Sequence, residues 1–394
     1  MLTAAVRVLA AAALSLTGVL QSPASVPVRD QQQWVLDALN AEQAWTVTKG
    51  RGVTVAVIDS GVDPGLKELR GKVTAGPDMS LSSVQREARP GEHGTAMAAL
   101  IAGTGAKDGL IGIAPDARIL SVPLAVDEEP GAGSIEPQPA PRPGEESGLE
   151  SPLARGLRYA ANHGAQVVSM SVGGYGPLKS EREAVSYALS KGVVLVAAVG
   201  NDGQTRYAQT NGTSFWNFPA GYPGVIGVAA VDKQGRRAAF SSDNLSVLVA
   251  APGVGVPVAR RGGGYQPSEG TSPAAALVAG VAALIKARHP ALPPEQVAQA
   301  LSSSARGRPA AGYDDKIGFG VVDAGAALNA ADRLAAARPG PDVPDDLHFG
   351  EGVDSPVPAR PGPEPWRLWL FGGAALVALV TFSGAIMALN QRRR

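Results

Sequence analysis

An α/β domain, with a mostly parallel sheet and helices on both of its faces, is what the sequence predicts, on three observations. Short continuous apolar runs recur along the chain, as they do in strands buried on both faces. Segments of helical pattern lie between several of them. No long polar linker divides residues 25–338, so one domain fits that stretch better than two.

The elements follow in order. Residues 31–45 read as a short helical arm leading into the first apolar run at 53–60. Similar runs occur at 118–126, 166–172, 193–199, 225–231 and 245–251. Helical patterns occupy 95–103, 151–163 and 179–191. Residues 127–148 are rich in Pro, Gly and Glu and cannot bury enough apolar surface to order themselves. They read as a solvated insertion in the domain, with a lid or docking loop as the sharper alternative.

Both ends carry membrane signals. Residues 1–24 combine an early Arg7, an apolar run at 8–20 and small residues at 22–24, the pattern of a secretory signal peptide. Residues 339–365 are dense in proline and acid and read as a stalk, which at about 3.1 Å per residue reaches roughly 80 Å. Residues 366–389 read as a transmembrane helix, because 368–389 carry no charge and about 1.5 Å per residue spans a bilayer core. Trp366 and Trp369 suit the outer interface, and the basic tail at 390–394 suits the cytoplasm. The expected location is a cell membrane, single-pass, with the domain extracytoplasmic.

Composition excludes several chemistries. Of 394 residues none is cysteine, which removes thiolate catalysis, disulfides and cysteine-ligated zinc. Lys+Arg and Asp+Glu balance at 35 each, so no nucleic-acid footprint is expected.

Three polar residues stand out against the apolar frame. Asp59 ends the first buried run, a costly position for a carboxylate unless a donor or cation meets it. His93 lies in Gly91-Glu-His-Gly-Thr95, at the start of an apolar helical pattern. Ser272 lies in Glu269-Gly-Thr-Ser-Pro, where a loop turns into a helix of small residues. Alone, that serine also fits an N-cap followed by proline at the first helical position. Serine is a weak nucleophile that needs a base, itself oriented by a third group. Among four histidines His93 is the best base, since His163 and His289 end helical patterns and His348 sits in the stalk. Asn201, just past the run at 193–199, reads either as a turn residue or as an amide donor for an oxyanion.

Together, Val57-Ile-Asp-Ser-Gly61, Glu92-His-Gly-Thr95, Ser169-Met-Ser-Val-Gly-Gly174, Ala197-Ala-Val-Gly-Asn201 and Gly270-Thr-Ser272 resemble the ordered motifs of subtilisin-like serine proteases. With its presumed signal peptide, arm, stalk and terminal membrane helix, the chain most resembles mycosins, the membrane-anchored subtilases of type VII secretion. The resemblance implies a three-layer α/β fold with about seven mostly parallel strands. It implies Asp59 orienting His93, His93 as general base and acid, Ser272 as nucleophile and Asn201 in the oxyanion hole. Ser171, Val172, Gly173 and Gly174 would form the wall on which a peptide lies as an added strand. Ala197, Ala198, Asn217 and Pro219 would line the primary specificity pocket, and Phe218–Pro219 would be cis, as in relatives. Asn217 falls where many relatives have glycine, which implies a small uncharged residue before the scissile bond.

The implied partners are a protein or peptide substrate and secretion-system membrane components. No cofactor is implied. Relatives often bind structural calcium, but no ligand set matches here. One departure is Pro273, because relatives place their proline four residues past the nucleophile, where Ala276 stands. Pro273 and the stalk motivate an alternative, a scaffold subunit with weak or dispensable protease activity. An esterase is disfavoured because no Gly-x-Ser-x-Gly elbow surrounds Ser272.

Overall fold

The computed structural model describes residues 26–80, 91–124, 150–337 and 365–391. The expected signal peptide, the 127–148 insertion, nearly all of the stalk and the last three arginines lie outside the described residues. The chain forms two units, Met1–Ala337 and Arg338–Arg394.

The first unit opens with α1 (Val28–Ala38), α2 (Ala41–Trp45), β1 (Thr54–Asp59), β2 (Val73–Ala75), α3 (Glu92–Ala102), β3 (Arg118–Pro123), α4 (Pro152–Asn162), β4 (Val167–Met170) and β5 (Gly174–Tyr175). It continues with α5 (Lys179–Ser190), β6 (Val194–Ala198), α6 (Arg206–Asn211), β7 (Asn217–Phe218), β8 (Ile226–Val231) and β9 (Val247–Pro252). It closes with β10 (Val256–Ala259), β11 (Tyr265–Ser268), α7 (Thr271–Arg288), α8 (Pro294–Ser303) and α9 (Ala324–Ala336).

Seven strands form one sheet in the order β2-β3-β1-β4-β6-β8-β9, and every pairing in it is parallel. Each predicted apolar run became one of its strands. The seventh, β2, escaped prediction because it is three residues long and partly exposed, so it carries no apolar run. The hairpin β10–β11 and the pair β5–β7 are antiparallel additions outside the sheet.

Strand periodicity divides the interior into two layers. Val55 and Val57 of β1 face a cluster with α3 and α7, while Ala56 and Ile58 face the opposite cluster with α4 and α5. A sheet buried on both faces needs apolar residues at consecutive positions, which is why β1 reads as a continuous run. At the centre of the first layer lies α7, with fifteen of its eighteen residues buried. Its small side chains let it lie close to its neighbours: a Cβ on Gly280 would come within 2.7 Å of Ile113 Cβ.

The helix does not start as an isolated reading of its sequence suggests. Gly270 is the N-cap, without a side-chain cap bond, and Thr271 is already helical. Ser272 is therefore the second helical residue, and Pro273 is the third. At that position a missing N–H costs nothing, since first-turn donors have no intrahelical acceptor.

The second unit contains α10 (Pro365–Gln391). Within it Trp369–Ala388 has mean hydropathy 2.0 and no burial, and is long and apolar enough to cross a bilayer by length and composition.

Candidate active site

The carboxyl edge of the sheet assembles the site. Asp59 ends β1 at 2% exposure. Its burial is compensated by donors: Ser60 N–H at 2.7 Å, Ser60 Oγ at 3.2 Å, and His93 Nδ1 at 2.9 Å from each carboxylate oxygen. With Nδ1–H donating to Asp59, the imidazole lone pair lies on Nε2, away from the carboxylate.

The Glu-His-Gly-Thr motif explains how the ring is held there. Gly91 caps α3, and a Cβ on Gly94 would lie 2.4 Å from Gly61 O, so only glycine lets the helix start press against the end of β1. Gly94 N–H donates to Ser60 Oγ at 3.1 Å. Thr95 Oγ1 donates to Gly91 O at 2.6 Å and accepts from Asp63 N–H at 2.9 Å. The imidazole side chain is 41% exposed, so it is reachable from outside.

Ser272 sits half-buried in the first turn of α7, a helix that packs against α3, β4, β6 and β8. Asn201 follows β6 and is tied to the same turn. Its Oδ1 accepts from Thr271 N–H at 3.0 Å and from Thr271 Oγ1 at 3.1 Å, while Thr271 Oγ1 accepts from Gly200 N–H at 3.2 Å. These bonds fix the carboxamide with its oxygen on the helix start. Nδ2, the donor end, lies by Gly270, where a Cβ would be 3.6 Å from Nδ2 and 3.8 Å from Ser272 N. Two donors thus flank one bare Cα, at the positive end of a buried helix. Such a pair can stabilise an oxygen on which negative charge develops.

The residues expected to line the pocket lie at the end of β6 and along β5 and β7. Ala197 and Ala198 end β6 and are buried. Ser171, Val172 and Gly173 lead into β5, which begins at Gly174 and pairs with β7 in the register Gly174↔Phe218 and Tyr175↔Asn217. The Phe218–Pro219 peptide is cis. The Asn217 carboxamide lies between two walls: its Oδ1 is 3.5 Å from a Cβ position on Gly173, and its Nδ2 is 2.2 Å from one on Gly200.

Sequence reading missed the residues that hold this arrangement. Ser60 and Thr271 lie inside quoted motifs, and their hydroxyls were the available signal. Asp202 follows Asn201 and reads as turn chemistry, yet it bonds Tyr175 OH at 2.8 Å and Asn217 Nδ2 at 2.6 Å. Burial first, then the bond to Asp202, pushes the Tyr175 hydroxyl well above its ordinary range, so it stays protonated. No group of three or more His, Asp or Glu among the described residues is placed to hold a metal ion.

Residues 50–320 match the Peptidase_S8 family model, the subtilase family, and the chain belongs to that family. Its class is that of subtilisin-like serine proteases. Fervidolysin from Fervidobacterium pennivorans is 34% identical over 326 residues, covering 75% of this chain and 43% of fervidolysin, so the chain spans less than half of that relative. Thermitase from Thermoactinomyces vulgaris is 34% identical over 263 residues, 66% of this chain and 84% of thermitase. Among solved structures, the chain is similar to MycP1, a serine protease described as an essential component of the type VII (ESX-1) secretion system. That match has a TM-score of 0.61 and 34% identity, covering 75% of this chain and 88% of MycP1. It is similar also to MycP3 protease from the type VII (ESX-3) system, with a TM-score of 0.61, 33% identity, and coverage of 75% and 87%.

Proposed function

We propose that the chain is a serine endopeptidase whose nucleophile is Ser272. His93 Nε2 takes the Ser272 proton as Oγ attacks the scissile carbonyl, and later gives it to the departing amine. Asp59 holds the ring in the required tautomer and stabilises the imidazolium that forms. The carbonyl oxygen, now negative, is met by Asn201 Nδ2 and the Ser272 N–H. Water then hydrolyses the acyl-enzyme by the same proton route in reverse. Gly173 and Gly174 offer backbone to an extended substrate, and Ala197, Ala198 and Pro219 flank the pocket for the residue before the cleaved bond. The observation that carries this reading is the Asp59–His93 contact at 2.9 Å, and the bond from Thr271 N–H to Asn201 at the start of α7 supports it.

The wider organisation belongs to the same proposal. Residues 1–24 are a cleaved signal peptide, 25–338 the peptidase domain, 339–365 a stalk, and 366–389 the membrane anchor, with 390–394 cytoplasmic. The length and apolarity of α10 and the likeness to MycP1 and MycP3 support a membrane-anchored, extracytoplasmic protease working beside membrane components of a secretion system. Pro273 does not favour the scaffold alternative, since it occupies a helical position where no N–H is needed.

The test uses the full-length chain in detergent with an unfolded protein substrate. The wild type is expected to cleave it and Ser272→Ala to leave it intact. An inert wild type, combined with secretion that fails on deletion and is restored by Ser272→Ala, would favour the scaffold.

A further inference from the structure

Between the turn after β7 and the start of β9, an apolar groove of about 420 Å³ opens on the first unit. Trp216, Tyr222, Leu245, Leu248, Tyr313 and Phe319 line it. Trp216 and Leu245 are 43% and 70% exposed, and large apolar side chains left in water around a concavity mark a binding surface. Tyr313 and Phe319 meet edge-on, with ring centroids 5.3 Å apart. The two rings carry opposite charge at their sides. Asp314 and Asp315 follow Tyr313, and burial first, then these carboxylates, holds its hydroxyl above the ordinary range. Arg308 stands over the Phe319 ring at 5.7 Å. Lys316 pairs with Asp315 at 2.9 Å, a solvent-facing contact that another cation can replace at little cost.

We propose that this groove is a docking site for the chain's own residues 137–143, Pro-Gln-Pro-Ala-Pro-Arg-Pro, with Arg142 set toward Asp314 and Asp315. Reach and chemistry both select that occupant. The described residues resume at Glu150, and Ser151 Oγ donates to Glu181 Oε1 at 3.0 Å. The other oxygen of Glu181 accepts from Tyr222 OH at 3.0 Å. One buried carboxylate therefore joins the end of the insertion to a wall of the groove. Six residues separate Pro143 from Glu150, and at about 3.1 Å per residue they span roughly 20 Å, more than the length of the Tyr222 side chain. Proline carries no N–H, so a run of alternate prolines asks few hydrogen bonds of an apolar wall. Each residue before a proline is also kept from the helical region, so little chain entropy is lost on docking. Aromatic-lined grooves bind proline-rich segments on these grounds.

The probe is a fluorescein-labelled synthetic peptide of residues 134–146, titrated against the full-length chain in detergent and read by anisotropy. Ser272→Ala is present throughout, so that no self-cleavage interferes. A chain with Pro137, Pro139, Pro141, Arg142 and Pro143 all changed to Ser is expected to bind the peptide saturably. The chain that keeps those residues should need at least about tenfold more peptide, because a tethered competitor acts at an effective concentration on the millimolar scale. Leu245→Lys, at an exposed position where folding is not at risk, should abolish binding. Arg142→Glu in the peptide should weaken binding several-fold at low salt, and Asp315→Lys in the chain should restore it. A photo-crosslinking p-benzoylphenylalanine in place of Leu245 should join to residues 137–143 of the same chain. The proposal is overturned if the serine-substituted chain melts like its parent yet binds no peptide, or if both chains bind it equally. It is overturned equally if Leu245→Lys changes nothing, or if the crosslink joins a second copy, which would make the groove an interface between chains.

Discussion

Two helices of this chain are apolar almost throughout, and their surroundings are opposite. In α7 fifteen of eighteen residues are buried within the first unit, whereas none of the apolar span of α10 is buried within the second. Both helices mix small and large apolar residues. In α7, Ala274, Ala275, Ala276, Ala279, Gly280, Ala282 and Ala283 are all inside the protein, beside Leu277, Val278, Val281, Leu284 and Ile285. Leu370, Phe371, Leu376, Leu379 and Phe382 give α10 large side chains that stand exposed. Small residues let backbones approach, which brings Thr271 onto the Asn201 carboxamide. Large ones maximise apolar area per turn, which favours transfer into lipid. Apolar composition alone does not say what surrounds a helix.

The sharpest way to break this comparison is at the chemistry α7 presents. His93→Ala should lower kcat by on the order of 10⁶, the scale known for triad loss in subtilisin, while near-unchanged circular dichroism shows the fold intact. A loss below about a hundredfold would mean that the helix start is not the reacting centre. Next in size, Asn201→Ala should cost about 10²–10³ in kcat with little change in KM, because in the proposed role its amide would act on charge that develops only in the transition state.

Packing gives the following test, in paired form. Gly280→Val would drive a branched side chain into Ile113 and should destabilise the first unit by about 1–3 kcal/mol, read from the denaturant midpoint. Gly373→Val on α10 has nothing within 4 Å of its Cβ position and should leave membrane association and activity unchanged. Equal effects at the two glycines would contradict the distinction between the helices.

The smallest effect concerns Lys72, whose amine donates to Ala102 O at 2.6 Å at the end of α3, and to Pro115 O. Burial lowers its pKa from 10.5 to about 8. Between those values the unfolded chain binds more protons than the folded one, so the Lys72 contribution to stability rises with pH across that window. It is fully unfavourable below about pH 8. Lys72→Met should flatten the rise in urea midpoint between those limits.

The sheet was legible because a strand buried on both faces must be apolar at every position, and six such runs stand out in the sequence. The strand β2 was not, since three partly exposed residues leave no pattern. Asp59, His93, Asn201 and Ser272 were visible as polar residues in apolar or glycine-rich settings. What the sequence could not give was contact between distant neighbours. Tyr175 bonds Asp202 across 27 positions, and Thr271 bonds Asn201 across 70. Neither pairing leaves a local signature, because both depend on parallel strands bringing loops to one edge. The start of α7 was misplaced by two residues on the local reading for a similar reason: Gly270, at φ +149°, is fixed by its bond to Gly253 O rather than by its neighbours in sequence.

The most direct test of the central claim is covalent labelling of the full-length chain with a fluorophosphonate, followed by peptide mapping. An activated serine should carry one label, on Ser272, abolished in Ser272→Ala and slowed at least a thousandfold in His93→Ala, since the reagent needs the same base as the substrate. A folded wild type that stays unlabelled, or that is labelled at another residue, would contradict it.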